Sequence, residues 1–298
     1  MTCYNRRDTT LECLRCLYAQ KLPEGVRFEV YLVDDGCTDS TSDAVRDQFP
    51  DVCVFQVDGN LYWCGGMRFA WAEAMKGDYD AYLWLNDDTM LLPGALYTLL
   101  VTAHDVRQRE GRDGIIVGSC RDPKTGKHTY GGRVNPNQRA RLPDKPLPPG
   151  DEMLPCDTMN GNLVLIPREL FNQLGNLSPE FTHAFGDVDY GMRARRSSVL
   201  IWVAPGHLAE CAANTGMRPW TVSSVPLKER WRDMCGPRGL PPRQWYLYVK
   251  RHTGAAWPFY FLKPIVRVIF PRLWRAIRSK HSSIPLETLD TMRESKCE

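Results

Sequence analysis

The chain has 298 residues, 43% hydrophobic, 24% charged and 10% aromatic, and its 38 Lys and Arg against 35 Asp and Glu give a net charge of +3. That balance excludes a disordered or fibrous chain, and a charge this close to neutral excludes a broad nucleic-acid footprint. The length suits two average domains or one α/β unit with an extension, because sheets with many crossovers often use roughly 200 residues or more.

The first elements alternate. Thr2-Cys3-Tyr4-Asn5-Arg6 leads into Asp8 to Gln20, where Leu11, Leu14, Leu17 and Tyr18 follow a helical period. Phe28 to Val33 then reads as a strand running into the acidic turn Asp34-Asp35-Gly36-Cys37-Thr38-Asp39 and a helix N-cap signal. Strand, helix, strand, helix in this order predicts a parallel sheet with right-handed crossovers. From Asn60 to Met75, Gly65-Gly66 followed by an Ala-rich segment reads as a loop opening a helix, which puts backbone N–H groups near an anion. It is not a dinucleotide fingerprint, and a packed Trp63 with a solvated Arg68 is the plainer alternative.

A second apolar run, Asp80 to Leu85, ends in Asn86-Asp87-Asp88-Thr89. Strand tips at the carboxyl edge of an open α/β sheet are where such folds bind ligands, and paired carboxylates there can hold Mg²⁺ or Mn²⁺ against a diphosphate. The competing reading is an Asn-Asp turn that caps the next helix. Further on, Arg133 to Pro149 reads as a long excursion, since Pro143, Pro146, Pro148 and Pro149 forbid continuous helix or central strand. Leu163 to Ile166 reads as a strand, Arg168 to Leu174 as a short helix and Val199 to Pro205 as another strand. Asp189 and Arg193, four apart, make either a surface helix pair worth about 0.2–0.5 kcal/mol or a group in which Arg193 organises the acids or meets a phosphate.

Five of these segments, in order, resemble successive motifs of family 2 glycosyltransferases: Thr2 to Arg6, Val33 to Asp39, Asn60 to Arg68, Leu85 to Thr89 and Phe185-Gly186-Asp187-Val188-Asp189-Tyr190-Gly191-Met192-Arg193. Arg238 to Gly254 also resembles C-terminal segments of bacterial polysaccharide members. The resemblance implies a GT-A fold, a Rossmann-like and mostly parallel mixed sheet flanked by helices, over residues 1–215. The donor half is expected at about 1–118 and the acceptor half at about 119–215, with a helical extension over 216–298. It implies inverting transfer from a nucleoside-diphosphate sugar with a divalent cation. Thr2, Tyr4, Asn5, Asp35, Trp63, Gly66, Arg68, Asn86 and Asp87 are then expected around the donor, UDP or dTDP being favoured through Asp35. Asp88 is the expected metal ligand and Asp187 the catalytic base, with Asp189 and Arg193 in support. Two positions depart from the pattern: Asn86 replaces the first acid of the D-x-D motif, and Gly186 replaces a Glu before the base. His207 and Glu210 lie where some GT-A enzymes place a late metal ligand. The family's first strand usually begins several apolar residues earlier; either the start is assigned too late or this strand is short, and the first alternative implies a chain less stable than the natural protein.

Eleven scattered cysteines, an odd number in a chain neither short nor led by a signal peptide, point to a reducing cytoplasm. Cys13 and Cys16 share a C-x-x-C spacing on the first helix, but without a second pair they read as ordinary buried thiols. From Arg243 to Arg278 basic residues interleave with Trp245, Trp257, Phe259, Phe261 and Trp274. That pattern suits a membrane surface, such as the inner face of the plasma membrane, or a helix packed on protein; the apolar stretch is too short to cross. The expected function is sugar transfer to a glycan or lipid-linked glycan. A non-catalytic nucleotide-sugar or glycan-binding protein is the alternative, and the oligomeric state is not legible. Sugar-1-phosphate nucleotidyltransferase and dehydrogenase are rejected because residues 1 to 10 hold no Gly-rich phosphate loop.

Overall fold

The computed structural model describes residues 1–135, 142–143, 145–214 and 218–271. Part of the Pro-rich excursion and the basic-aromatic residues beyond 271, Trp274 and Arg278 among them, lie outside the described residues. The chain divides into two compact units, Met1–Asn214 and Thr215–Glu298.

The first unit runs β1 (Thr2–Cys3), α1 (Arg7–Tyr18), β2 (Tyr31–Asp34), α2 (Thr41–Gln48), β3 (Cys53–Gln56), α3 (Tyr62–Ala74), β4 (Ala81–Leu85), β5 (Met90–Leu91) and α4 (Ala95–Glu110). It continues with β6 (Gly114–Arg121), β7 (Gly132–Val134), β8 (Lys145–Leu147), β9 (Leu154–Pro155), β10 (Thr158–Met159), β11 (Leu163–Pro167), α5 (Arg168–Leu174), α6 (Gly186–Arg196) and β12 (Leu200–Glu210). Strands β1, β2 and β3 form a parallel sheet in that order. A second sheet has the order β4-β11-β6-β12-β5, with β9 also pairing β12; β6 and β12 are parallel and the other pairs antiparallel. β6 is buried from Gly114 through Cys120 and β11 from Leu163 through Ile166, the continuous apolar character of strands covered on both faces.

An aromatic cluster seats two helices on β4. Trp71 of α3 meets Trp84 at 5.2 Å and Tyr190 of α6 at 5.5 Å, and Trp84 meets Tyr190 at 5.0 Å, all between ring centroids. Such pairs are each worth about 0.5–1.5 kcal/mol beyond their buried area. They fix the start of α6, which carries Asp187, relative to the tip of β4, which carries Asp87 and Asp88.

The expected excursion at 133–149 is partly strand. β7 pairs with β10 on one side and β8 on the other, so β8 is the edge of this small sheet and tolerates Pro146 there. A cavity of about 650 Å³ lies between the two main sheets, lined among others by Met1, Tyr31, Leu83, Leu85 and Leu165. Met1 continues the β1–β2 ladder beside it: its amine donates to the Tyr31 carbonyl at 2.8 Å and its own carbonyl accepts from Val33 N–H at 3.1 Å.

In the second unit, α7 (Leu227–Cys235), α8 (Pro242–Thr253) and α9 (Trp257–Ile269) follow a short 3₁₀ turn at Pro219–Thr221. Tyr246 of α8 packs edge-on against Trp257 and Phe261 of α9, so much of the predicted aromatic pattern is internal packing. Phe259, Leu262 and Phe270 stay exposed at 68%, 53% and 55%. Among the described residues no helix is long and apolar enough to cross a membrane.

Candidate active site

Both acidic turns sit at the carboxyl tips of their strands, as the sequence requires. In the first, Asp34 Oδ1 accepts from Cys37 N–H at 2.6 Å and its other oxygen from the Ser42 hydroxyl. Burial pushes the Asp34 carboxyl up, but these hydrogen bonds outweigh it and hold it below the ordinary range. Asp35 accepts from Leu61 N–H at 3.0 Å and Tyr62 N–H at 2.7 Å, which ties down the first turn of α3. Asn5, in the left-handed region at φ 49, donates its N–H to the Cys37 sulfur and accepts at Oδ1 from Thr38 N–H at 2.7 Å. The Thr2–Arg6 segment is thereby bound to the turn of β2, with Thr2 buried and Tyr4 55% exposed above it.

The second turn is different. Arg6 places Nη1 at 2.7 Å from Asp88 Oδ2 and 3.3 Å from Asp87 Oδ1. Asp87 is buried, its Oδ2 has no partner among the described residues, and its pKa is pushed up to about 7 by burial and then by Asp88, against the pull of Arg6. Asn86 is not a vacant position. Its Oδ1 accepts from the Trp63 indole N–H at 2.6 Å.

Cys211, one residue past β12, completes this corner. Its thiol lies 3.6 Å from Asp88 Oδ1 and 3.5 Å from the Asn162 amide, and burial followed by Asp88 pushes its pKa up to about 12. Of the two positions expected to hold a late ligand, His207 sits against His128 and Glu210 pairs with Arg121 at 2.9 Å, whereas Cys211 stands beside Asp88. Val199 to Pro205 gave no hint of this, because β12 runs on to Glu210 with register shifts on both sides of His207. The carboxylates of Asp88 and Asp87 are oxygen donors of the kind that suit a divalent cation, and the Arg6 guanidinium now offsets their charge.

Asp187 opens α6 behind Phe185, which is held in the left-handed region at φ 72. Its Oδ2 accepts from Gly161 N–H at 3.0 Å and its Oδ1 from Val188 N–H at 2.8 Å. Burial raises its pKa above the ordinary carboxylate range, opposed by those two hydrogen bonds. The Gly186 departure has a steric reason: a Cβ there would run into Cys64 Sγ and approach Trp63. A side chain at Gly161 would likewise strike the Trp63 ring. One indole thus reaches from Asn86 in the acidic turn to the backbone that holds Asp187.

Three other expectations change. Gly65 and Gly66 are inside α3, which starts at Tyr62, and the N–H groups of Cys64 and Gly65 go to the Thr182 carbonyl at 2.8 and 3.2 Å. No anion cradle is open there; Gly66 is needed because a Cβ would collide with the Thr2 side chain. Arg68 Nη1 reaches the Phe181 carbonyl at 3.5 Å, so it is neither a solvated arginine nor placed by its contacts on the acidic turn. Asp189 and Arg193 are no surface pair. Asp189 is fully buried and accepts from Arg193 Nε at 3.1 Å and Ser178 Oγ at 2.7 Å, while Arg193 also donates to the Leu174 and Asn176 carbonyls. This group clamps the 174–178 segment onto α6 below the base.

The family profile "Glycosyl transferase family 2" matches residues 1–156. An N-acetylglucosaminyl-diphospho-decaprenol L-rhamnosyltransferase of Mycobacterium tuberculosis is 26% identical over 218 residues, covering 64% of this chain and 69% of that protein. Among solved structures, the mannosyltransferase PcManGT from Pyrobaculum calidifontis, in complex with GDP-Man and Mn²⁺, aligns over 99% of this chain and 78% of its own at 16% identity and TM-score 0.50. S. aureus TarS in complex with UDP-GlcNAc aligns over 84% and 69% at 15% identity and TM-score 0.50. These neighbours show the fold, which is GT-A, and with over half of its length matched by the profile the chain belongs to glycosyl transferase family 2.

Proposed function

We propose that this glycosyltransferase moves a hexosyl or deoxyhexosyl group from a UDP- or dTDP-sugar to a glycan or lipid-linked glycan, with inversion at the anomeric carbon. The observation that carries the reading is the continuous path from Asn86 through Trp63 to Gly161 and Asp187, which joins the acidic turn to a carboxylate of raised pKa. Asp187 takes the proton of the acceptor hydroxyl as that oxygen attacks opposite the leaving diphosphate. A base so placed is worth about 10²–10⁴-fold.

Asp88 would hold Mg²⁺ or Mn²⁺, with Asp87 and Cys211 beside it, and the cation would supply neutralisation of the diphosphate charge. Arg6, now paired with both acids, is the side chain placed to meet the leaving phosphates. Thr2, Tyr4, Asn5 and Asp35 line the base, and residues 1 to about 118 form the donor half, with about 119–215 the acceptor half. The M. tuberculosis relative's name specifies a decaprenol-linked acceptor and L-rhamnosyl transfer, which favours a deoxyhexose donor and a lipid-linked acceptor. The exposed Phe259, Leu262 and Phe270 with Lys263 and Arg267 suit an anionic lipid surface, consistent with work at the cytoplasmic face of a membrane.

Nucleoside-diphosphate release from a panel of UDP-, dTDP- and GDP-sugars, with and without Mn²⁺ and a prenyl-diphosphate-linked acceptor, tests the reading. Metal-dependent release lost in Asp88→Ala and Asp187→Asn is expected. Turnover that survives Asp187→Asn removes the assigned base. Flotation with anionic liposomes at low and high salt tests the surface; no flotation at either salt eliminates it.

A further inference from the structure

A second group of ligating side chains, separate from the acidic turn, lies across β6. Ser119 on β6 is in register with His207 on β12, and His128 lies on the segment bridged to Arg121 on the other side of β6. The two imidazole rings are 5.6 Å apart between centroids and tilted by 44°. A Cβ on Gly131 would lie 2.8 Å from Ser119 Oγ and 3.2 Å from His128 Cε1, which places the hydroxyl and that ring around one point.

Every free polar atom of this group is buried without a partner among the described residues: Ser119 Oγ, both ring nitrogens of His128 and Nε2 of His207. Ser119 is completely inaccessible. Buried nitrogens and hydroxyls left without partners are costly, and a cluster of them calls for an occupant. The contrast with Cys3, Asp34 and Cys37, which also converge, is instructive. There the Cys3 and Cys37 sulfurs face one another at 3.9 Å, Cys37 accepts from Asn5 N–H, and Asp34 is bonded to Cys37 N–H and Ser42. That set is satisfied from within.

We infer that His128, His207 and Ser119 form a site for a borderline transition-metal ion, Zn²⁺ by its chemistry. Two imidazole nitrogens bonded to one tetrahedral zinc at about 2.0–2.1 Å put their ring centroids roughly 5–5.5 Å apart, close to the spacing found. Neutral imidazole is the ligand such ions prefer over Mg²⁺ or Ca²⁺. Burial, followed by the neighbouring imidazole for His128 and by Arg121 for His207, keeps both rings neutral. The backbone is arranged for the contact: Gly206 at φ 65 and the register shifts flanking His207 turn its side chain out of the regular ladder. The ion clamps the 121–130 hairpin to β12, the strand that leads into Cys211.

Zinc titration calorimetry and zinc X-ray absorption on the full chain test this, in the wild type and in a Cys211→Ser, Asp88→Ala double variant that disables the acidic turn as a cation site. The expected result in the double variant is one Zn²⁺ per chain with imidazole scattering and no sulfur in the first shell. In that background affinity falls at least tenfold on adding His128→Gln or His207→Gln, and zinc raises the melting temperature of the double variant but not of either triple variant. The absence of zinc binding in the micromolar range in the double variant, or unchanged affinity in both triple variants, overturns the assignment. If a variant does not fold, the wild-type spectrum decides: imidazole scattering is expected, and its absence overturns the assignment.

Discussion

Asp34 and Asp35 at the tip of β2 and Asp87 and Asp88 at the tip of β4 are carboxylate pairs that follow apolar strands, and they differ in what reaches them. The first pair is met by backbone N–H groups from Cys37, Leu61 and Tyr62 and by the Ser42 hydroxyl. The second is met by a guanidinium from Arg6 and a thiol from Cys211, and Asp87 keeps one buried oxygen without a partner among the described residues. Backbone donors cannot leave, so the first pair is fixed by the architecture, and what Asp35 retains for a nucleotide base is the second lone pair of each oxygen. The second pair is held by side chains, which can move. Asp187 lies between these extremes, with two backbone N–H bonds and a raised pKa.

The largest expected effect separates Asp187 from the architectural pair. Asp187→Asn lowers kcat by about 10²–10⁴-fold while donor affinity, read by calorimetry, changes little. Because the folded carboxyl has a raised pKa and must be ionised to act, kcat/KM in the wild type falls as pH drops through a value above the ordinary carboxylate pKa of about 3.9. An acid limb at or below that value contradicts the assignment. Next, Asp35→Ala removes both acceptors from the part-buried N–H groups of Leu61 and Tyr62 and lowers unfolding stability by about 1–3 kcal/mol in a urea titration. Asp88→Asn is the converse. Stability stays within about 0.5 kcal/mol, since its side chain is one-third exposed, whereas Mn²⁺ affinity falls by at least about tenfold. If Asp35→Ala spares stability, or Asp88→Asn lowers it as much, the two turns are not different in kind.

Local pattern made β1, β2, β4, β11, the start of β12 and both acidic tips legible, because an apolar run that stops at Asp-Asp needs no distant information; β3, α4 and the buried strand β6 went unread. Other misreadings were decided by distant packing. Gly65-Gly66 reads as a phosphate loop until Thr182 is seen to take the N–H groups and Thr2 the space. The surface reading of Asp189 and Arg193 followed from their spacing of four, but the carbonyl of Leu174 at the end of α5 and the Asn176 carbonyl and Ser178 hydroxyl just beyond it enclose the pair. Cys211 was hidden by the same limit. An isolated cysteine has no signature, and only the pairing of Ala209 and Glu210 with β5, the strand after the acidic turn, brings it to Asp88. A usable signal did exist at position 186: a glycine in place of a carboxylate, with Trp63-Cys64 in an upstream motif, is a volume exchange that one sequence cannot pair up but the packing makes plain.

The smallest effect concerns the link between the second turn and the base. Trp63→Phe keeps most of the ring packing against Gly161 and Trp84 but removes the indole N–H that Asn86 Oδ1 accepts at 2.6 Å. One neutral hydrogen bond is worth about 1 kcal/mol net, and the turn remains held by Asn86 N–H to the Asn162 carbonyl at 3.0 Å and by Thr89 N–H to the Asn86 carbonyl. Folding is therefore expected to persist, with a stability loss of about 1 kcal/mol. If the indole positions the acidic turn against Asp187, kcat falls several-fold more than that loss explains, and Asn86→Asp in the same background does not restore it, since the donor and not the acceptor is missing. If Trp63→Phe leaves kcat unchanged, the turn and the base are positioned independently, and the contrast between architectural and functional carboxylates then rests on Arg6, Cys211 and the backbone donors alone.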